Sequence, residues 1–276
     1  MRLPLVILAF LFLMTSHILA EDLAIPAGWF PFSIPGDDSS QTVTDFSGLH
    51  PRPAGKDGFV TIKEGHFQAG DHRLKIWGAN VVFGANFPSH DDAEMAAAHL
   101  SKLGFNAIRF HHQDRFPAPR GLWLPVQDGI RKMDPEQLDK QDYFLNQLHE
   151  HGIYANLNLH VSRTFLEEEG FPANTHKDFK YDKFLLYFVP RMRELFKEYC
   201  RDYLWHRNPY RNNLRRVDDS GIAMIEITNE NRFSQGGLDK FGHLPEPYLA
   251  ELQKQWNTWL VNHYPSTEAL AEAWRA

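Results

Sequence analysis

Short apolar runs alternate along the chain with longer segments in which apolar residues recur three or four positions apart. The short runs predict buried strands, and the longer segments predict amphipathic helices. The predicted strands cover residues 75–83, 107–110, 153–159 and 222–228. The predicted helices cover residues 90–103, 135–151, 190–205 and 247–263. A strand followed by a helix therefore recurs along most of the chain.

Capping residues mark the ends of the first two predicted helices. Ser89 and Asp134 stand where N-caps are expected, and Gly104 and Gly152 follow the last helical turns. Nearly continuous apolar strands that alternate with helices favour a parallel sheet with helices outside it. Such a sheet forms either an open doubly wound structure or a closed barrel. No Gly-x-Gly-x-x-Gly pattern follows the first strand, which disfavours a dinucleotide-binding unit.

The segments ahead of this alternation are of three kinds. Residues 1–20 combine Arg2, an apolar run and a small residue at Ala20, which predicts a signal peptide and a secreted or periplasmic protein. After its cleavage we expect no stable membrane association, because the run is shorter than the roughly 20 residues that span a bilayer. Residues 21–58 form an irregular lead-in. Residues 59–72 predict a short β-hairpin with Gly-containing turns that leads into the first strand.

Composition narrows the function classes. With 43% hydrophobic residues among 276, the chain can bury the core of one large domain. Its formal net charge of −6 argues against a nucleic-acid partner, because acidic chains repel phosphate backbones. The single cysteine, Cys200, cannot form an internal disulfide, and we assign it to core packing.

Polar and ionisable side chains gather at the carboxyl ends of all four predicted strands. They are Asn80 on the first strand, Arg109, His111 and His112 on the second, His160 on the third, and Asn229 and Glu230 on the fourth. Because the carboxyl ends of parallel strands meet at one edge, we expect these side chains to form a site. The amino ends of the same strands carry apolar or small residues.

The residue types at this edge suit the cleavage of a glycosidic bond. Glu230 can protonate the departing oxygen, and Asn229 can hydrogen-bond a neighbouring sugar hydroxyl. Arg109 can keep a second carboxylate ionised, and His160 can bind substrate or orient a neighbour. The predicted partner is therefore an oligosaccharide or polysaccharide, and no cofactor is expected.

Three further residues carry alternative interpretations. Trp123, in the long loop between residues 111 and 134, either stacks on a sugar ring or anchors the loop by packing. Glu226 lies deeper on the fourth strand, and we expect it to pair with a basic residue. A metal site of His111, His112 and His160 is a further hypothesis. It is weakened because adjacent residues of a strand point to opposite faces, so at most one of the two neighbouring histidines faces the interior.

The stretch Ile-Glu-Ile-Thr-Asn-Glu-Asn at residues 225–231 resembles the fourth-strand motif of clan A glycoside hydrolases. Residues 77–80, 104–112, 152–160 and 206–210 resemble further segments of the cellulase-like members of glycoside hydrolase family 5 and of β-galactosidase-like members. The resemblance covers residues 59–276 and implies a (β/α)8 barrel with a retaining mechanism. It also implies that Glu230 is the acid/base, that the neighbouring Asn229 binds the sugar, that Arg109 supports the nucleophile and that His160 lines the site.

The sequence departs from this family in one respect that matters for activity. The family nucleophile is a Glu at the end of strand seven, whereas the acids after Glu230 lie in helical patterns or, like Asp239, in a Gly-rich loop. Only four strands are predicted, so we expect the first four β/α units of a longer precursor, inactive as they stand. A carbohydrate-binding protein without catalysis and a metal-dependent barrel hydrolase are the alternatives.

Overall fold

The computed structural model describes residues 28–29, 35–38, 40–172, 183–231 and 246–275. The predicted signal peptide at residues 1–20 and the loop that carries Asp239 lie outside this description. The chain divides into two compact units, Met1–Pro35 and Gly36–Ala276. Only Gly28, Trp29 and Pro35 are described in the first unit, so the elements below all belong to the second.

Three short strands open the second unit as an antiparallel sheet. They are β1 (Thr61–Lys63), β2 (His66–Ala69) and β3 (His72–Arg73), paired in the order β1-β2-β3. The predicted hairpin is thus present, and a third short strand extends it. The left-handed conformation of Gly65 and Gly70 permits the tight turns between these strands.

Within the described residues, a parallel sheet and five α-helices form the body of the unit. The further strands are β4 (Gly78–Val82), β5 (Ala107–His111), β6 (Tyr154–His160), β7 (Arg207–Asn208), β8 (Leu214–Arg215) and β9 (Ile222–Thr228). The helices are α1 (His90–Lys102), α2 (Pro135–Glu150), α3 (Pro190–Trp205), α4 (Glu246–His263) and α5 (Thr267–Trp274). Strands β4, β5, β6 and β9 are parallel neighbours in that order, while β7 and β8 pair separately. The predicted α/β class is confirmed.

The sequence signals at the helix starts act as expected. The Ser89 side chain accepts a hydrogen bond from the Asp92 amide, and the Asp134 side chain accepts one from the Glu136 amide. Side chains on one face of the sheet then pack against the helices. Ile108 and Phe110 of β5 are fully buried, and the Phe110 ring meets Phe144 of α2 edge to face at 5.7 Å.

The lead-in packs against the amino ends of the parallel strands. The Lys102 side chain is buried in an ion pair with Asp38. The Ser220 hydroxyl, just ahead of β9, donates to the Gly55 carbonyl at 2.8 Å. Gly55 has a φ of 76°, and a Cβ there would lie 2.4 Å from the Ser220 carbonyl carbon, so no side chain fits. The carboxyl ends of the strands are thereby left as the accessible end of the sheet.

Both outer strands of the parallel sheet have a free edge within the described residues. Strand β4 pairs only with β5, and β9 pairs only with β6. Apolar side chains are exposed there: Val82 is 41% exposed and Ile227 is 65% exposed. A groove of about 660 Å³ runs between β9 and α3 and is lined by apolar residues that include Ile225 and Phe196. Among the described helices, none combines the length and apolar character needed to cross a membrane.

Candidate active site

Three of the four parallel strands end in a residue with strained backbone. Phe83 follows β4, His112 follows β5, and Glu230 lies two residues beyond β9. Their φ angles are 51°, 57° and 53°, in the left-handed region that non-glycine residues rarely adopt. Each such residue costs about 1–3 kcal/mol and persists only where its surroundings enforce it. Of the eight non-glycine residues with positive φ in the described part of the chain, these three lie at the end of the sheet that the sequence had indicated.

Arg109 binds one side chain on β9 and one in the turn after it. Its Nε and Nη2 donate to the two carboxylate oxygens of Glu226 at 2.8 and 2.7 Å, a two-pronged ion pair. Nη2 also donates to Oδ1 of Asn229 at 2.8 Å. The expected pairing of Glu226 with a basic residue is confirmed. The carboxylate held by Arg109 is therefore Glu226, which makes Arg109 a bridge between the sheet and Asn229.

The Glu230 carboxyl group stands at the open end of the sheet. Its side chain is 67% exposed, and the nearest ionic neighbour is the Lys183 ammonium, 3.7 Å from Oε2. The backbone N–H of Asn229 donates to the backbone carbonyl of His160 at 2.8 Å, which connects the turn after β9 to the end of β6. The Tyr187 hydroxyl donates to the Asn231 carbonyl at 2.6 Å. Hydrogen bonds thus hold the backbone on both sides of Glu230 while its carboxyl group faces solvent.

His111 and His112 lie closer together than strand alternation allows. Their ring centroids are 4.3 Å apart. The expectation that they point to opposite faces is wrong, because β5 ends at His111 and the left-handed backbone of His112 turns its ring back. Burial and the nearby Arg109 charge lower the pKa of His111 to about 4. His112 shares a hydrogen bond of 2.8 Å between its Nδ1 and the Ser162 hydroxyl.

His160 is fully enclosed at the end of β6. Its ring is 0% exposed and meets Phe196 of α3 at 5.3 Å, edge to face. The Asn231 side chain lies close by, yet neither ring nitrogen completes a hydrogen bond of normal geometry within the described residues. Burial lowers the pKa of His160 to about 4, so the ring is neutral. Of its two expected roles, orienting a neighbour is compatible with this position, whereas contact with a substrate is not.

Trp123 is a packing anchor in this structure. Its side chain is 4% exposed, and its Nε1 donates to the Asp114 carbonyl at 2.6 Å. The ring packs against Tyr199 at 5.1 Å, and the Arg163 guanidinium lies 4.9 Å from its centre. No face of the indole is open to a sugar. Of the two interpretations, the packing one fits these surroundings.

Asp114 is a residue that the sequence pattern did not single out. Its carboxylate is fully buried and accepts the backbone amides of Val161, Ser162 and Arg163 at 2.8–3.1 Å. These amides belong to the loop after β6, and Ser162 is also the partner of His112. Asp114 therefore fixes the β6 loop against the β5 loop. A lone acid three residues past a strand gives no sequence signal for this task.

Asn80 completes the sequence-predicted set. It pairs in register with Arg109 across β4 and β5, and register partners share a face of the sheet. The sheet thus brings Asn80, Arg109 and Asn229 to one face, with Glu230 beyond them and His111 beside them. Across the described part of the chain, no group of three or more His, Cys, Asp or Glu side chains is placed to hold a metal ion. The three histidines do not converge as metal ligands.

No protein-family model and no curated protein sequence matches the chain. Among solved structures, the fold is similar to that of an endo-1,4-beta-mannanase from Rhizomucor miehei, with a TM-score of 0.52 and 18% identity over 65% of this chain and 51% of that one. A glycoside hydrolase family 5 mannosidase from the same organism gives a TM-score of 0.46 and 20% identity over 63% and 49%. An endo-beta-1,4-mannanase from Thermotoga petrophila gives 0.43 and 17% over 58% and 35%.

The similarity to the first mannanase shows a shared fold. It supports, at the level of fold, the resemblance to a family 5-like glycoside hydrolase of clan A. The chain spans about half the length of that mannanase.

Proposed function

We propose that the chain carries the acid/base half of the active site of a retaining glycoside hydrolase. The observation that supports this most is the position of Glu230: an exposed carboxyl group on a strained turn at the carboxyl end of a parallel strand, directly after Asn229. In folds of this type, the chemistry sits where strands end and loops begin. Glu230 is the acid that protonates the departing glycosidic oxygen and later the base that activates water.

Asn229 is oriented for substrate by the bond it already makes. Because Arg109 can only donate, the Asn229 atom that it contacts is the carbonyl oxygen. The amide nitrogen is then the side-chain group left to donate to a sugar hydroxyl. Arg109 in turn is locked by its two bonds to Glu226. We assign Arg109 the role of positioning Asn229, with Glu226 as its fixed counter-ion.

A retaining mechanism needs a second carboxylate about 5 Å from the acid/base. We propose that it comes from further β/α units that pair with the free edges of β4 and β9 and close an eight-stranded barrel. The exposed apolar side chains at these edges support this, as does the half-length match to the mannanase. On this proposal the chain alone lacks hydrolase activity. The apolar segment after Arg2 supports a place outside the cytoplasm.

The proposal is tested in the complete polypeptide that it predicts, which includes the further β/α units. Wild type, Glu230→Gln and a matched control, Glu198→Gln on the exposed face of α3, are assayed on aryl β-glycosides and on polysaccharides that include β-mannan. We expect Glu230→Gln to lose about 10²–10⁴ in turnover and Glu198→Gln to match wild type. Equal turnover in all three proteins removes Glu230 from the mechanism. Sugar binding without hydrolysis in wild type favours a carbohydrate-binding protein instead.

A further inference from the structure

A stack of aromatic rings and cations lies beyond the ends of β4 and β5. The rings of Phe83 and His112 are parallel within 20°, with centroids 4.7 Å apart. The Arg120 guanidinium lies 4.9 Å from the Phe83 ring centre and 4.4 Å from that of Phe116. Arg115 lies 4.7 Å from the Phe116 centre. These five residues, named here the cationic stack, form one chain of contacts, with Arg120 over both Phe83 and Phe116 and His112 and Arg115 at its two ends.

Backbone strain shows that the surroundings enforce the position of the stack. Phe83 and His112 are both left-handed, and for a bulky residue such as Phe83 this is a rare conformation. The chain also packs tightly beside Phe83, since a Cβ on Gly84 would lie 3.2 Å from the Pro119 carbonyl oxygen. Two strained residues that stack on each other cost free energy that a plain loop would avoid. The arrangement therefore holds Arg120 in place at an energetic cost.

Arg120 presents hydrogen-bond donors to solvent. Its side chain is exposed, and within the described residues its guanidinium contacts the two ring faces and forms no ion pair. Because the side chain is exposed, N–H groups on the side of the guanidinium away from the two rings face solvent. That geometry suits two parallel hydrogen bonds to a carboxylate.

The stack is continuous with the candidate active site. Its first ring, His112, contacts His111, which lies beside Arg109. Arg120 is an exposed cation of the stack for which the described residues supply no carboxylate. An acidic glycan offers a carboxylate to such a cation, whereas a neutral glycan does not.

We infer that the cationic stack is a subsite for an acidic sugar, with the Arg120 guanidinium binding the carboxylate of a uronic-acid residue. The inference rests on the proposed function, because it places this residue in the glycan that reaches Glu230. It adds the class of substrate, a glycan that contains uronic acid, to the reaction type.

The test measures binding and not hydrolysis, so it is independent of the catalytic proposal. Tetragalacturonic acid, mannotetraose and dextran sulfate are titrated calorimetrically into the chain at low salt. The variants are Arg120→Gln, Arg120→Lys and Arg201→Gln, the last a control that removes one exposed charge from α3. Circular dichroism and thermal melting establish that each variant is folded. Arg120→Lys keeps the charge but not the planar fork, and provides a second reading if Arg120→Gln is unstable.

We expect the chain to bind tetragalacturonic acid, and Arg120→Gln to weaken this binding tenfold or more, as the loss of a hydrogen bond to a charged group predicts. The affinity of Arg120→Lys for tetragalacturonic acid should lie between those of wild type and Arg120→Gln, and the affinity of Arg201→Gln should equal that of wild type. Equal binding by Arg120→Gln overturns the inference. Binding of mannotetraose but not of the acidic sugar also overturns it, yet leaves the proposed function standing. Tighter binding of dextran sulfate overturns the carboxylate assignment. Binding of no glycan overturns the inference, whereas the proposed function is decided separately by the Glu230→Gln assay.

Discussion

Removing the Asp114 carboxylate should loosen the whole carboxyl end of the sheet. The Asp114→Ala substitution leaves the amides of Val161, Ser162 and Arg163 buried without an acceptor. Each unsatisfied buried group costs about 1–3 kcal/mol, so the three together cost about 3–9 kcal/mol. A domain of this kind has only about 5–15 kcal/mol of stability in total. Asp114→Asn keeps one carbonyl oxygen in place, and we expect it to lose about 1–3 kcal/mol.

Urea unfolding followed by circular dichroism and tryptophan fluorescence gives these free energies, with Asp202→Asn on the exposed face of α3 as the control. Hydrogen exchange adds a local readout, because the three amides after β6 should lose protection in Asp114→Asn before the rest of the sheet does. The reasoning is refuted if Asp114→Ala unfolds within about 1 kcal/mol of the control. It is also refuted if these three amides exchange as slowly in Asp114→Asn as in the Asp202→Asn control.

Three further outcomes follow from the same structure. Burial lowers the pKa of His160 to about 4, so between about pH 6.5 and pH 4 the unfolded chain binds a proton that the folded chain excludes, and stability falls as the pH falls. His160→Gln should reduce the loss of unfolding free energy between pH 7 and pH 4 by about 3 kcal/mol, as measured by urea titrations at the two pH values. An unchanged loss would contradict this. Asp142→Asn leaves the Arg216 guanidinium, which is 1% exposed, without its counter-ion and should lower the free energy of unfolding by about 3–5 kcal/mol. Asp218→Asn breaks the exposed ion pair with Arg215 and should lower it by less than about 1 kcal/mol. Equal losses for the two variants in urea unfolding would argue against this. Ile227→Lys places a charge on the exposed apolar edge of β9 and should reduce self-association, measured by sedimentation velocity. The unfolding free energy should change by no more than about 0.5 kcal/mol. An unchanged distribution of species would count against an exposed apolar edge.

Periodicity and capping residues were sufficient to predict most elements. The structure has α3 at Pro190–Trp205 and β9 at Ile222–Thr228, with the bounds that the pattern predicts. The first parallel strand is the exception, since it begins at Gly78 and not at residue 75. The reason is the buried side chain of Asn106, which bonds the Lys75 carbonyl and the Trp77 amide, both at 2.7 Å. A side-chain amide thus takes the place of a strand partner, and no local pattern reveals such a long-range contact.

The candidate site was predictable in its place but only partly in its contacts. Polar residues at the carboxyl ends of strands follow from the parallel arrangement, and the pairing of Glu226 follows from its position deeper on the strand, where a carboxylate loses part of its solvation. The turn of His112 toward His111 could not be predicted, because alternation describes residues inside a strand and fails at its end. Whether Trp123 faces solvent or packing depends on Arg163 and Tyr199, which lie far away in sequence.

The most direct test of the central claim is how the effect of Glu230→Gln depends on the leaving group. The complete polypeptide that the proposal predicts, with its further β/α units, is assayed on aryl β-glycosides whose phenols range from strongly acidic, such as dinitrophenol, to weakly acidic. A general acid matters most when the departing oxygen is basic. We predict that Glu230→Gln loses about 10²–10⁴ in kcat/KM on the least acidic phenols and far less on dinitrophenyl glycosides. An equal loss on every substrate, or no loss on any, would contradict an acid role for Glu230.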